Sequence, residues 1–424
     1  MSKPLYERPS LVRHQMGMMN KFGRVQGAKP LTHIDGVAVA DLVAQHGSPL
    51  FVFSQSTLIK RYRELYQAFA RRYAKVRIAW SYKTNYLEAI CRIFHREGAY
   101  AEVVSQFEFD KAVLTGVSPD RIHFNGPSKP DDAIEAALRG RALLHIDNFD
   151  ELARIERIAE RLGVRPRVAL RINPPFELAP AAARMGGGPR KFGVDSEQAP
   201  QALAAIAALP LEFVGFHCYA GSQCLDADAI IATQRMTLDL MAELARLAPA
   251  PVRLLNFGGG FGIPQHAGES PLDLARIGSA MAALARDAAT CLPQAALTLE
   301  LGRYLVGEAG LYVCRVIERK VSRGRTFLVL DGGLHHHWHA TGALEGRRHL
   351  HFPLALANRL DAAPTETVTV AGPLCAPHDI FAHDVPLARA EPGDLIAVFQ
   401  SGAYGPSASP GGFLGRPGAV EMLV

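Results

Sequence analysis

Short apolar runs alternate with amphipathic segments along the middle of this chain. Between residues 76 and 301 the runs have the length of buried strands, and the segments between them repeat apolar residues with the period of an α-helix. The predicted strands cover residues 76–82, 99–104, 121–124, 142–146, 167–172, 213–219, 253–257 and 297–301. Eight strands with crossover helices over about 230 residues predict a (β/α)8 barrel, because a doubly wound sheet ordinarily has fewer strands.

The pattern changes after residue 311. Strand-like runs at 312–319, 326–331, 367–371 and 395–399 are separated by Gly/Pro turns and have no long helices between them. The sequence therefore predicts an α/β fold in which a TIM-type barrel precedes a C-terminal β domain. We expect an N-terminal segment at 1–47 that joins the β domain, the barrel at 48–310 and the β domain at 311–424.

Composition and charge exclude several classes of protein. The chain has 424 residues, 48% of them hydrophobic and 21% charged, which suits a large core and not a disordered chain. Its net charge of +5 is mild and its arginines are dispersed, so we expect no nucleic-acid partner. No apolar run reaches the roughly 20 residues of a membrane span, which predicts a cytoplasmic protein. The six cysteines form no CxxC pair, so we expect reduced thiols and no zinc site.

Chemistry in a barrel gathers where the strands end. Lys83 ends the first predicted strand, and it is either a surface lysine or a desolvated amine that can form a Schiff base. Three glycines, 258–260, follow the seventh strand and form either a phosphate-binding loop or a merely flexible one. Glu300 lies on the eighth strand. Together these groups describe a site for pyridoxal phosphate, with Glu300 keeping the pyridine nitrogen protonated.

Six segments, in order along the chain, carry a family resemblance. They are SYKTN at 81–85, GFHCYAGSQ at 215–223, NFGGGFG at 256–262, ELGR at 300–303, GPLC at 372–375 and SGAYG at 401–405. In these segments the chain resembles the ornithine/diaminopimelate decarboxylase family of fold-type-III pyridoxal-phosphate enzymes. The resemblance covers nearly the whole chain and implies the barrel-plus-β-domain architecture that this family shares with alanine racemase.

The resemblance implies roles for individual residues. Lys83 would be the Schiff-base lysine, Glu300 would pair with the pyridine nitrogen, and Cys375 of the partner subunit would return a proton to the substrate, so that a homodimer holds its active sites at the interface. The other implied cofactor contacts are His217, Tyr219, Ser222, Gly258, Gly259, Gly260, Gly302, Arg303 and Tyr404. Asp379 matches an acid of the loop that carries Cys375, and Glu102 and Glu108 match acids beside the cofactor.

Two departures from the family pattern concern the substrate. Tyr219 replaces a histidine that stacks on the cofactor ring, and Ala376 replaces an acid that engages the distal end of a free diamino acid. Together with the loop 183–193, the run 331–337 and the segment 407–410, these two departures resemble a branch that serves butirosin biosynthesis and siderophore or exopolysaccharide gene clusters. The implied substrate contacts are Arg184, Arg190, Lys191, Cys375 and Asp379, although the three cations also suit a solvated basic loop.

We therefore expect decarboxylation of the α-carboxylate of a carrier-tethered or conjugated amino acid in a secondary-metabolite or siderophore pathway. The alternative is a diaminopimelate, ornithine or lysine decarboxylase that acts on the free amino acid. A racemase would have an arginine at the pyridine nitrogen in place of Glu300, and an inactive binding relative would have lost Lys83 or Cys375. Adjacent histidines on a strand face opposite sides, so at most His335 and His337 could share a metal, and we expect none.

Overall fold

The computed structural model describes residues 33–34, 37–71, 73–266, 268–344, 346, 350–359 and 362–424. The chain divides into two compact units. One, the barrel unit, comprises Tyr62–Gly262 and Leu272–Gly302. The other, the β unit, comprises the described residues up to Arg61 and those within Ile263–Pro271 and Arg303–Val424. Within the described part of the chain, no helix is long and apolar enough to cross a membrane.

The barrel unit is built on eight parallel strands that close into a ring. In chain order they are Val76–Ser81, Tyr100–Val103, Ile122–Phe124, Leu143–Ile146, Arg167–Asn173, Glu212–Cys218, Leu254–Asn256 and Ala296–Leu301. The eighth strand pairs with the first, with Glu300 opposite Ala79, and this pairing closes the ring. Every residue of the eighth strand is buried, as expected where helices cover a parallel sheet. The predicted barrel is confirmed.

Among the described residues, one helix directly precedes the first barrel strand, and seven connect the barrel strands to one another. They are Gln55–Ala70, Glu88–Arg96, Gln106–Leu114, Asp131–Arg139, Phe149–Leu162, Ala199–Ala207, Ala227–Leu244 and Leu274–Cys291. Two of them begin at a capping residue two positions after a strand ends: Ser105 accepts from the Glu108 amide, and Asn148 accepts from the Glu151 amide. Such caps make the connections short and fixed, so side chains at the strand ends are held in place.

The β unit is an eight-stranded assembly around one long strand, Gly310–Ser322. This strand pairs antiparallel with three others, Arg325–Leu330, Leu395–Val398 and Leu50–Phe53. The remaining strands are Leu354–Leu356, Glu366–Ala371, Ile380–Leu387 and Val420–Leu423. A second β domain after the barrel is therefore confirmed.

The N-terminal part of the described chain contributes to the β unit. The strand Leu50–Phe53, which lies within the range predicted for the barrel domain, pairs here with Gly310–Ser322 and with Val420–Leu423. Helix Val39–His46 places Val39, Leu42 and Val43 in an apolar cluster with residues of these strands. Most of the segment 1–47 lies outside the described residues.

Candidate active site

Lys83 lies where the first barrel strand ends, on the short helical turn Tyr82–Thr84. Its Nζ is 3.3 Å from a Glu102 oxygen and 5.7 Å from the centre of the Tyr219 ring, and its side chain is 36% exposed. A side chain on Gly302 would collide with the hydroxyl of the last residue of this turn. The structure thus places an accessible amine beside a carboxylate and an aromatic face.

Glu300 is a buried carboxylate held by three donors. Its Oε1 accepts from Asn125 Nδ2 at 2.8 Å and from Asn256 Nδ2 at 2.7 Å, and its Oε2 accepts from His217 Nε2 at 3.0 Å. Burial alone would raise the pKa of Glu300, but the bonded His217, with His145 and Lys83, holds that pKa well below its ordinary value. The carboxylate is therefore fixed in direction and ionised.

Sequence reasoning did not assign Asn125 to the site and named Asn256 only as the start of the glycine motif. Both lie at the carboxyl end of a barrel strand, which is the signal that could have found them. His217 was expected to contact the cofactor, and the structure places it against Glu300.

Buried imidazoles surround Glu300 inside the barrel. The rings of His123 and His145 lie 5.3 Å apart, and those of His145 and His217 lie 4.9 Å apart. Burial lowers the pKa of His123 to about 4 and that of His145 well below its usual range, so both rings are neutral at physiological pH. One ligand atom each from His123, His145 and Glu300 lie within 4.8 Å of one another. A polar layer therefore lines this part of the barrel interior.

The loop after the seventh strand needs all three of its glycines. Gly258 and Gly260 have φ angles of 62° and 99°, which side chains rarely tolerate. A Cβ on Gly258 would lie 2.5 Å from the Tyr219 ring, and one on Gly259 would collide with the backbone oxygen of Glu300. The backbone thus packs directly against neighbouring strands, which allows an anionic group to approach its N–H groups closely.

Ser222 lies next to this loop. Its short strand, Gly221–Ser222, pairs antiparallel with Ala183–Arg184, and a Cβ on Gly260 would lie 2.6 Å from the Gly221 oxygen. The start of the basic loop is therefore attached to the segment that carries Ser222. The Arg184 side chain is outside the described residues.

Arg190 and Lys191 lie further along the basic loop. Arg190 is 3.5 Å from a Glu177 oxygen in an exposed ion pair, and Lys191 Nζ is 5.3 Å from the centre of the Phe192 ring. Exposed pairs of this kind contribute little to stability. Both cations remain at the surface of the barrel unit.

Glu108 forms part of a helix cap. Its Oε2 accepts from Val104 N at 2.8 Å, while its own amide donates to Ser105 Oγ at 3.2 Å. Burial raises the pKa of Glu108 to about 7. These contacts of Glu108 belong to the start of the helix. The acid that lies beside Lys83 is Glu102.

The other predicted site residues lie in the β unit. The Arg303 guanidinium is 4.9 Å above the centre of the Tyr404 ring. Cys375 is exposed. The Asp379 carboxylate is buried and accepts from two backbone amides, those of Leu334 at 2.7 Å and Leu374 at 2.9 Å. Asp379 therefore closes the loop that carries Cys375, and burial raises its pKa.

The histidine run does not form the strand that the sequence analysis assumed. Leu334–His337 is a helical turn, because Gly333 O accepts from the amides of His336 and His337 while Asp379 accepts from the amide of Leu334. The argument from alternating strand faces was therefore wrong. His336 is held by Tyr312 and by the Pro417 oxygen.

Comparisons with known proteins agree with this geometry. The family described as "Pyridoxal-dependent decarboxylase, pyridoxal binding domain" matches residues 56–307. The chain is 34% identical over 398 residues to the L-glutamyl-[BtrI acyl-carrier protein] decarboxylase of Niallia circulans, and the match covers 92% of each chain. The chain belongs to the pyridoxal-dependent decarboxylases. It is also 32% identical over 397 residues to the diaminopimelate decarboxylase of Methanothermobacter thermautotrophicus, covering 92% of this chain and 90% of that one.

This decarboxylase has the same fold as a solved relative along most of the length of both chains. The diaminopimelate decarboxylase structure from M. jannaschi superimposes with a TM-score of 0.84 at 28% identity, covering 92% of this chain and 90% of that chain. The protein is therefore a carboxy-lyase whose cofactor is pyridoxal phosphate. Its residues fit the cofactor. They supply an accessible amine, an aromatic face, an ionised buried carboxylate and a glycine loop that has no room for side chains.

Proposed function

We propose that this decarboxylase removes the α-carboxylate of an amino-acid group that is carried on a larger molecule, such as a glutamyl group on a carrier protein. The observation that carries this is the 34% identity to a glutamyl-carrier decarboxylase over 92% of both chains. The sequence agrees, since Ala376 follows Cys375 where an acid would engage a free distal ammonium. A second candidate is diaminopimelate decarboxylation, supported by the 32% identity to enzymes of that name.

The cofactor, when bound, supplies an electron sink for the pair of electrons left on Cα as CO2 departs. Lys83 Nζ would hold the cofactor aldehyde until the substrate amine replaces it, with Glu102 as the neighbouring carboxylate. Glu300 would face the pyridine nitrogen and keep its proton there, because an ionised carboxylate stabilises the adjacent cation. The Tyr219 ring would pack on the cofactor face.

We assign the cofactor phosphate to backbone amides and to a few side chains. Gly258, Gly259 and Gly260 would bring their backbone close to it, beside Ser222. Arg303 and Tyr404 would add a guanidinium and a hydroxyl, as the family resemblance implies. Gly302 would act indirectly, because its lack of a side chain leaves room for the turn that carries Lys83.

Cα needs one proton once the bond to the carboxylate has broken, because CO2 leaves without one. We assign that proton to the thiol of Cys375 from the partner subunit in a homodimer. Cys375 is exposed in the single chain, on a loop that Asp379 closes through the Leu374 amide. A residue that acts in the active site of a second subunit has to be exposed on its own subunit and held on an ordered loop.

The basic loop would meet the part of the substrate that distinguishes a conjugate from a free amino acid. Ala183–Arg184 is paired with Gly221–Ser222, so the loop begins at the proposed phosphate site. Arg184, Arg190 and Lys191 supply its positive charge. A carrier protein or another anionic carrier would match that charge.

Product analysis by mass spectrometry tests this function. The cofactor-loaded protein is incubated with free L-glutamate, L-ornithine, L-lysine and meso-diaminopimelate, and separately with glutamyl groups on a carrier protein, with Lys83→Ala as the inactive control. We expect CO2 loss from the conjugated substrate alone. Rapid turnover of free diaminopimelate would instead establish the second candidate and show that Ala376 does not prevent recognition of a distal ammonium.

A further inference from the structure

Two buried side chains in the β unit bind one nitrogen of the Arg303 guanidinium. Arg303 Nη1 donates to His339 Nε2 at 2.7 Å and to Gln265 Oε1 at 3.3 Å. Arg303 is 7% exposed, His339 1% and Gln265 0%. These two residues come from separate stretches of the chain, so the contact is a tertiary arrangement and not a local turn.

The hydrogen bonds fix the proton on the imidazole. His339 Nδ1 contacts the Ala403 oxygen at 3.3 Å, and a carbonyl oxygen can only accept, so Nδ1 carries the hydrogen. Nε2 is then a bare acceptor, which a guanidinium requires because it can only donate. The neutral imidazole is thus matched to Arg303.

Aromatic rings pack against both the His339 imidazole and the Arg303 guanidinium. The His339 ring meets the Tyr404 ring edge-on at 5.5 Å and the Phe352 ring at 5.0 Å. Tyr404 also lies under the guanidinium. Since a guanidinium is planar with its five N–H bonds in fixed directions, holding Nη1 and one face sets where the remaining N–H bonds point.

We propose that His339 and Gln265 are positioning residues that orient Arg303 for the cofactor phosphate. This rests on the proposed function, which assigns Arg303 to that phosphate. The two residues touch Arg303 and do not themselves take part in the reaction. Gln265 is suited to the task because its own segment is anchored: Gln265 N donates to Glu269 Oε2 at 2.7 Å, and Gln400 Nε2 donates to Pro264 O at 2.8 Å.

The test compares the affinities of the apoenzyme for pyridoxal phosphate and for pyridoxal, which lacks the phosphate. The variants are Arg303→Ala, His339→Ala, His339→Gln and Gln265→Ala, with His335→Ala as a control from the neighbouring buried histidines. The measured quantity is the ratio of the affinity for pyridoxal phosphate to the affinity for pyridoxal. We expect Arg303→Ala to lower this ratio at least about tenfold and His339→Ala to lower it roughly three- to tenfold, because charge-assisted hydrogen bonds are lost or misdirected. His339→Gln should retain most of the ratio, since its amide oxygen can accept from Arg303.

The ratio separates a positioning role from a structural one. A variant that only loosens the fold would weaken both ligands in proportion, and that result for His339→Ala and Gln265→Ala would overturn the inference. The inference would also be overturned if Arg303→Ala lowered the ratio while His339→Ala and Gln265→Ala left it unchanged. In that case the assignment of Arg303 to the phosphate would still stand. An unchanged ratio in Arg303→Ala would reject the phosphate assignment itself, and the inference with it.

Discussion

The ionised Glu300 carboxylate has to be compensated inside the barrel. A buried charge without partners costs several kcal/mol, whereas a hydrogen bond to a charged group contributes about 1.5–3 kcal/mol. Asn125, Asn256 and His217 supply three such bonds. This is enough to offset burial, and it explains why amides lie at strand ends where apolar residues would otherwise pack.

Removing one of these donors should impair the enzyme without unfolding it. We expect Asn125→Ala to lower kcat about 10- to 150-fold, because the loss of a bond worth about 1.5–3 kcal/mol leaves the carboxylate less firmly ionised and less well aimed. Decarboxylation kinetics and the pH titration of the bound cofactor's absorbance measure this. Asn173→Ala is the matched control, since Asn173 also ends a barrel strand but donates to Gly188 and Asp195. Equal losses in the two variants would show that Glu300 does not depend on Asn125.

At the scale of elements, the glycine loop is constrained by what it packs against. A Cβ on Gly259 would collide with the Glu300 backbone, and a backbone atom cannot rotate away as a side chain does. Overpacking of this kind typically costs about 1–3 kcal/mol and shifts the backbone.

Gly259→Ala should therefore displace the loop. We expect the affinity for pyridoxal phosphate to fall at least about tenfold and the melting temperature to decrease, as measured by fluorescence titration and calorimetry. Gly418→Ala is the control, because a Cβ there would meet nothing within 4 Å. A Gly259→Ala protein with normal affinity would show that the loop has more room than its contacts indicate.

The barrel strands could be predicted closely from the sequence, because strands buried on both faces are apolar throughout. The seventh was predicted at 253–257 and is Leu254–Asn256, and the eighth was predicted at 297–301 and is Ala296–Leu301. Lys83, Glu300 and the three glycines could be singled out because they stand at strand ends, where barrel chemistry gathers.

The remaining features depend on contacts between distant residues. The strand-end position of Asn125 could mark it as a candidate, but it precedes a glycine and so has the pattern of a turn, and its partner Glu300 is identified only in the folded barrel. The histidine run was misassigned because its helical turn is held by Asp379, 45 residues away from Leu334. Likewise, nothing local to Leu50–Phe53 indicates that its partners are Gly310–Ser322 and Val420–Leu423. Local patterns identify elements, whereas tertiary hydrogen bonds decide partners.

At the scale of the whole molecule, the proposed chemistry is divided between two compact units. Lys83 and Glu300 belong to the barrel unit, and Cys375 belongs to the β unit. If each site takes Cys375 from the partner subunit, a subunit that lacks Lys83 can still serve its partner. A two-fold symmetric dimer then has two sites, each drawing on both chains.

Mixing inactive variants measures this sharing of residues directly. Lys83→Ala and Cys375→Ala proteins, each of low activity alone, are dissociated, mixed in equal amounts and reassociated. Half of the dimers are then mixed, and each mixed dimer has one complete site of two, so activity should return to about a quarter of the wild-type value. Lys83→Ala mixed with Glu300→Gln is the control, because both residues belong to the same barrel and no complete site can form. If the first mixture recovers no more than the control, Lys83 and Cys375 act within one subunit and the shared site is excluded.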